Sequence, residues 1–291
     1  MPLDLKNTTV DIFADDTNIS TTNKSVDQIA NLLSADLNSV ENWCKSNSMS
    51  LNITKSKVMY VASKHTYDLI KHSLPTIPFN DSFINVSSSE KLLGITITST
   101  LAWDNHINLV LKKCNSLLFL LSRIKIYLSI DMRKRFYNAY ILPHFDYCCV
   151  IWGNCSNALE DKLVKFQKRA ARLILNKDLL ASSSIMFDQL KWMTFPERVI
   201  YLKSVQMYKT LNGKSPEYLK VLFTFTSDIH SRLLRSITNE QLYIPRPNKD
   251  LYRNSFAFSG SSIWNSLPLT LKQSSSIAQF KRLYLKWFKE T

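Results

Sequence analysis

Asp15 and Asp16 stand side by side in the run Phe13-Ala14-Asp15-Asp16-Thr17. Adjacent carboxylates resist joint ionisation unless a cation lies beside them. Magnesium relieves that repulsion, and carboxylate plus phosphate oxygen is its preferred ligand set. An Asp pair carried by strands therefore points to metal-assisted phosphoryl chemistry, although the same dipeptide is ordinary turn composition. His144, Cys148, Cys149 and Cys155 form a second cluster with the residue types of a zinc site. Adjacent cysteines inside the apolar run Phe145, Tyr147, Val150, Ile151 and Trp152 are more often buried thiols. The third group is cationic: Lys162, Lys165, Lys168, Arg169 and Arg172 recur every three or four residues. Such spacing can meet successive phosphates along a backbone, or it can be a solvated helix face.

The elements that would position these residues follow from hydrophobic period. Val10, Ile12 and Phe13, then Ile19, predict a β-hairpin with its turn at the acidic pair. Residues 25–46 predict a helix with apolar positions Val26, Ile29, Leu33, Leu37 and Val40, capped by Thr22 or Ser25. Residues 56–62 predict a short strand. Phe83 to Val86 and Leu92 to Ile97 predict a strand pair turning at Ser87-Ser88-Ser89.

From Asp104 the pattern becomes helical. Helices are predicted over about 104–124, over 132–142 with a stop before Pro143, and over 158–175. Others are expected at 184–190, 195–211 and 277–288, with loop and short strand over 239–260. On the 158–175 helix the apolar side is Leu159, Leu163, Phe166, Ala170, Leu173 and Ile174, and the cations read as a flanking stripe free of acid. Arg133-Lys134-Arg135 and Lys281-Arg282 reinforce the basic region.

The 291 residues carry 37 Lys and Arg against 23 Asp and Glu, a net charge of +14. Residues 1–103 hold 8 basic against 10 acidic side chains, and residues 104–291 hold 29 against 13. The front is thus slightly acidic and all the surplus lies behind, which favours an anionic partner and nucleic acid first. Four glycines argue against folds built on glycine-rich phosphate loops. Five cysteines without CxxC spacing fit a reducing compartment. No signal peptide or membrane span is legible, so an intracellular site, nucleus or cytoplasm, is expected.

Phe13-Ala14-Asp15-Asp16-Thr17 resembles the aromatic-Ala-Asp-Asp motif in the palm of reverse transcriptases. Ser50-Leu51-Asn52-Ile53-Thr54-Lys55-Ser56-Lys57 is similar to the next palm motif, and Glu90-Lys91-Leu92-Leu93-Gly94-Ile95 to the primer-grip hairpin. Leu101-Ala102-Trp103-Asp104 resembles the entry to the thumb of non-LTR (LINE-like, jockey-type) retrotransposon polymerases. Pro143-His144-Phe145-Asp146-Tyr147, Trp152-Gly153, Gln167-Lys168-Arg169-Ala170-Ala171-Arg172 and Trp264-Asn265-Ser266-Leu267-Pro268 are also similar to that family. The motifs come in family order and span nearly the whole chain.

The resemblance implies an α+β fold. Residues 1–103 would be the C-terminal half of a palm, 104–180 a helical thumb-like region, and 181–291 a basic helical C-terminal region. It implies RNA-directed DNA synthesis with Mg2+, on an RNA template and DNA primer. Asp15 would bind metal, Asp16 would be its less directly coordinating neighbour, and Lys55 would assist the pyrophosphate leaving group. Leu93 and Gly94 would hold the primer end, while Lys162, Lys165, Lys168, Arg169 and Arg172 would contact nucleic acid. Phe13 replaces the commoner Tyr. A third palm aspartate and the fingers precede this motif in the family, and Met1-Pro2-Leu3-Asp4-Leu5 resembles the middle of a family sequence. Asp11 shares strand parity with Asp15 without supplying a second strand's geometry. The expectation is therefore a truncated polymerase with polymerisation absent or very weak. The rival expectation is a non-catalytic RNA- or DNA-binding protein. A two-metal nuclease would share the Asp pair but lacks a supporting His or Glu cluster.

Overall fold

A computed structural model describes residues 5–79, 82–229, 240–247 and 250–290. The chain is a mixed α+β protein of two compact units, Met1–Ala102 and Trp103–Thr291. The first carries all the named strands and the second is almost entirely helical.

In the first unit, β1 (Thr9–Phe13) and β2 (Asp16–Ser20) form the expected antiparallel hairpin, with Phe13 opposite Asp16 and Thr9 opposite Ser20. Ala14 and Asp15 make the two-residue turn, and Ala14 sits at φ 55°, a left-handed conformation that costs a residue with a Cβ about 1 kcal/mol. Helix α1 (Val26–Ser46) begins at Ser25, whose hydroxyl accepts from the Gln28 amide, with Asp27 favouring the positive helix start. Ala30 and Val40 are buried on its inner face. Ala30 joins Tyr60, Ile77, Phe79 and Ile84 in the core cluster of this unit.

The sheet beneath α1 differs from expectation. The predicted strand over 56–62 is only β3 (Lys57–Val58), and α2 (Lys64–Ile70) follows. Next, β4 (Ile77–Phe79) pairs antiparallel with β5 (Ser82–Val86), and β5 runs parallel to β3. The segment 83–86 therefore does not pair with 92–97. Ser87 donates to the Val58 carbonyl at 2.8 Å, so the serine run extends the β3–β5 pairing instead of turning back. The segment 92–97 folds on itself as β6 (Ser89–Leu92) and β7 (Ile95–Thr98), because Leu93 (φ 45°) and Gly94 (φ 86°) adopt the two positive φ values of a tight hairpin turn.

The second unit starts with α3 (Asp104–Ile124), a 3-10 turn (Lys125–Tyr127) and α4 (Ile130–Phe136). The helix expected to stop before Pro143 does not stop. It widens into a π-helical turn (Tyr137–Ile141) and runs on as α5 (Leu142–Asp146), with Pro143 in the first turn of the new segment. Proline lacks the N–H and crowds the carbonyl four residues back, and the wider turn accommodates both defects. Then come α6 (Cys149–Trp152), α7 (Asn157–Leu175), α8 (Ser183–Leu190) and α9 (Phe195–Leu211). Short α10 (Glu217–Lys220), α11 (Thr226–Ile229) and α12 (Asp250–Arg253) follow, then α13 (Phe256–Ser266), α14 (Leu269–Lys272) and α15 (Ile277–Glu290).

The loop expected over 239–260 is thus partly helical, while 239, 248 and 249 lie outside the described residues. Among the described residues two clusters hold the unit together. One gathers Ile107, Leu121, Phe145, Trp152, Leu163 and Phe166, with Trp152 stacked on Phe195 at 5.3 Å. The other gathers Met207, Tyr208, Trp264, Phe280 and Tyr284. Asn265 donates to and accepts from the backbone of Leu242 (2.8 Å each), and Trp264 Nε1 donates to the Glu240 carbonyl, so Trp264-Asn265 is a structural clamp.

Candidate functional site

The β1–β2 hairpin presents its carboxylates to solvent. Cross-strand pairing puts Asp11, Phe13, Asp16 and Asn18 on one face, all exposed, and Val10 and Ile19, half-buried, on the other. Asp11 therefore shares its face with Asp16 and not with Asp15, which belongs to the turn. The hairpin is held at its base. The Thr8 hydroxyl and the Asn7 backbone and side-chain N–H groups all donate to Asp36 of α1, at 2.8, 3.0 and 2.9 Å. Burial acts to raise the Asp36 carboxyl, but these hydrogen bonds outweigh it and hold its pKa below the ordinary value.

A magnesium pair needs carboxylates converging from more than one element. Asp11, Asp15 and Asp16 all come from one exposed hairpin, and among the described residues no three His, Cys, Asp or Glu side chains cluster as a metal site. The hairpin can offer a hydrated cation a carboxylate, but the residues present do not fit a two-metal centre.

The other front-unit candidates lie in turns. Lys55 is exposed in the loop that Asn52 organises by accepting from Thr54 Oγ1 (2.7 Å) and the Lys55 amide (3.2 Å). Among the described residues no ion pair joins Lys55 to Asp15 or Asp16. Leu93 and Gly94 form the exposed tip of the β6–β7 hairpin.

In the second unit, α7 buries Leu159, Leu163, Phe166, Ala170 and Ile174 and turns Lys162, Lys165 and Arg169 fully outward, with Lys168 and Arg172 half-buried. The stripe is not free of acid. At 100° per residue Asp161, exposed, falls among these cations at the helix start, so the unmixed positive charge begins at Lys162. Arg133 also leaves the expected basic patch, because its guanidinium donates to the carbonyls of Lys125, Leu128 and Ile174 at 3.0–3.1 Å. Arg135 pairs with Asp131 at 2.9 Å. Lys281 and Arg282 stay exposed.

Near its C-terminal end α7 forms one wall of a groove of about 430 Å³ against α3. Arg169 and Arg172 meet Lys125 and Lys177 there, with Asp178 the only acidic one among the described lining residues. Arg169 is oriented by Asn115 (2.9 Å), and Arg172 Nε is buried without a hydrogen-bond partner. Phe119 lines the groove 64% exposed, with the Arg123 guanidinium 5.6 Å from its ring centre. A concave surface of cations with an open aromatic face can take phosphate and a stacked base. Sequence spacing missed Lys125, Lys177 and Phe119, which meet the α7 cations only because α3 packs on α7. An aromatic on the polar side of α3 was the one available signal.

The cysteines are packing residues. Cys149 is 1% exposed, and burial pushes its thiol up to about 12 and that of Cys155 up to about 11. Such thiols are protonated near neutral pH. Asp146 holds Arg198 in a bidentate pair at 2.6 and 2.5 Å. No helix of the described residues is long and apolar enough to cross a membrane. No protein-family model, curated protein or solved structure matches the chain.

Proposed function

We propose that this chain binds nucleic acid through its second unit, as the part of a non-LTR-type reverse transcriptase that holds template and primer. The observation that carries the binding is the α3–α7 groove. Arg169, Arg172, Lys125 and Lys177 converge there, continuous with the outward Lys162 and Lys165. The polymerase part of the reading is supported by two hairpins: Ala14-Asp15 turns one beside Asp16, and Leu93-Gly94 turns the other. In this reading RNA and DNA backbones are the partners, and Asp15 would offer magnesium a carboxylate with Asp16 as its less directly coordinating neighbour. Strand synthesis is not assigned to the chain by itself, because two hairpin carboxylates do not fix two metals.

The test is binding of a labelled RNA–DNA duplex across a salt series. Affinity should fall steeply with salt, and Lys165→Glu with Arg169→Glu and Lys177→Glu should weaken it at least tenfold and flatten the salt slope by roughly 0.9 per lost phosphate contact. Unchanged affinity in that triple variant would remove the groove from the interface.

A further inference from the structure

A second cavity in the helical unit, on a different part of the surface lining from the α3–α7 groove, is larger, about 770 Å³, within the range of small-ligand sites. Its buried lining comes from Tyr137, Phe187, Leu190 and Gln167, and its solvent-reaching lining includes Lys191, Lys289 and the half-buried Lys134. Tyr137 belongs to the π-helical turn that Pro143 brings about, so the irregular backbone faces this space.

The floor carries donors that the fold does not use. Trp192 Nε1 is buried without a hydrogen-bond partner, and so is the Tyr137 hydroxyl, although Tyr137 is only 2% exposed. Gln167 is the polar neighbour of Tyr137 and its side chain lies within hydrogen-bonding reach of the phenol oxygen, but its own oxygen is committed elsewhere, so the phenol O–H finds no acceptor there. The Gln167 oxygen accepts from the Phe195 amide at 2.7 Å and its nitrogen donates to the Met193 carbonyl at 3.4 Å. The phenol and indole rings stack with centroids 4.1 Å apart, so both donors are fixed in one rigid pair. An acceptor-bearing ligand would supply the partner that these buried donors lack.

The charge around the cavity is predominantly positive. Among the described lining residues Lys134, Lys191 and Lys289 stand with one carboxylate, Asp188, while Arg198 is neutralised by Asp146. A fatty acid would satisfy those cations and leave the indole and phenol donors orphaned. A nucleobase with a phosphate satisfies both: ring nitrogen and carbonyl acceptors for Trp192 and Tyr137, apolar contact with Phe187 and Phe288, and phosphate oxygens for the lysines.

We propose that this cavity binds a single nucleotide, its base against Tyr137 and Trp192 and its phosphate at Lys134, Lys191 and Lys289. The nucleotide can come free or as an unstacked residue of a strand, and the site is independent of the α3–α7 groove. The full chain is titrated with AMP and UMP, with uridine, with inorganic phosphate and with an eight-residue oligouridylate. A monophosphate should bind one-to-one with Kd below about 1 mM, uridine and inorganic phosphate more weakly. Trp192→Phe and Tyr137→Phe keep the ring stack, remove one donor each, and should each weaken binding about tenfold without lowering Tm.

Oligouridylate binding that is sensitive to Trp192→Phe, without free-nucleotide binding, supports the site with the strand as its source. Oligouridylate binding that ignores both substitutions, with no monophosphate binding, overturns the site while leaving the groove intact. Inorganic phosphate binding as tightly as the monophosphates overturns it too, as does a Trp192→Phe variant that loses Tm but not affinity.

Discussion

The Thr8 hydroxyl donates to Asp36 Oδ2 at 2.8 Å, tying the strand that leads into Asp15 to the middle of α1. A two-stranded ribbon is marginal by itself in water, and the outward face of this one is wholly exposed. The position of the Asp15 tip therefore rests on Asp36, which is 3% exposed and also takes both Asn7 donors.

Asp36→Ala should cost about 2 kcal/mol, the worth of hydrogen bonds to a charged acceptor. Amide exchange across β1 and β2 should accelerate while that of α3 to α9 does not change. The folded-state pKa of Asp36 lies below its ordinary value, so its contribution is present above the ordinary carboxylate pKa and is lost as pH falls through the folded one. Asp36→Asn should remove that acid-dependent component from the unfolding curve. Unchanged exchange in β1 would show that the hairpin is held some other way.

Gly153 has a packing reason to be glycine. A Cβ there would stand 2.4 Å from the Cys149 carbonyl oxygen and 2.7 Å from both methyls of Val199. The carbonyl is backbone and cannot step aside. Gly153→Ala should therefore destabilise the second unit by about 1–3 kcal/mol. Adding Val199→Ala should recover only part of the loss, and chemical denaturation of the three variants would show it. A neutral Gly153→Ala would mean that the α6–α9 contact relaxes freely.

Much of this architecture is legible in the residues and some is not, for physical reasons. The hairpin at Asp15 and the helices at α1, α3, α7 and α9 announce themselves through turn chemistry and apolar period. The β3–β5 pairing is two residues long and parallel, and no local pattern marks it. Pro245 and Pro247 mark 239–260 as loop, yet α13 begins inside that range, and Gly260 lets the helix approach Met207, whose sulfur would lie 2.6 Å from an added Cβ. The cations of α7 are visible as a stripe, but their partners Lys125 and Lys177 come from segments that only tertiary packing brings there. Nothing in the spacing of α9 distinguishes Lys203, 1% exposed, from its solvated neighbours.

Lys203 makes a pH prediction. Its ammonium donates to Asn154 Oδ1 and to Ser259 Oγ (3.2 Å), and no acidic residue pairs with it among the described residues. Burial lowers its pKa from 10.5 to about 8, with the Cys149 and Cys155 thiols opposing weakly. The unfolded chain thus binds more protons than the folded one between about 8 and 10.5, so this residue makes stability rise with pH across that window. Below about 8 the full penalty is present, up to about 3 kcal/mol. Lys203→Met removes it and strands the Asn154 and Ser259 acceptors, worth about 1 kcal/mol. The variant should gain about 2 kcal/mol at pH 7 and lose that slice of pH dependence. A destabilised variant at pH 7 would mean that the amine is better solvated than its burial indicates.

The proposed polymerase role turns on whether the Asp15 hairpin acts in this chain alone. Asp15 and Asp16 are exposed and meet no third metal-binding side chain among the described residues. Primer extension by the purified chain with magnesium or manganese should therefore stay at background. Duplex binding should survive Asp15→Ala unchanged, because the cations that carry it lie in the other unit. Extension well above background that Asp15→Ala abolishes would instead show that the hairpin finds its remaining ligands elsewhere, for instance in a second copy of the chain or in the bound nucleic acid. The two readouts separate the roles. Loss of binding in the groove variant tests the phosphate contacts, whereas loss of extension in Asp15→Ala with binding intact tests the carboxylates.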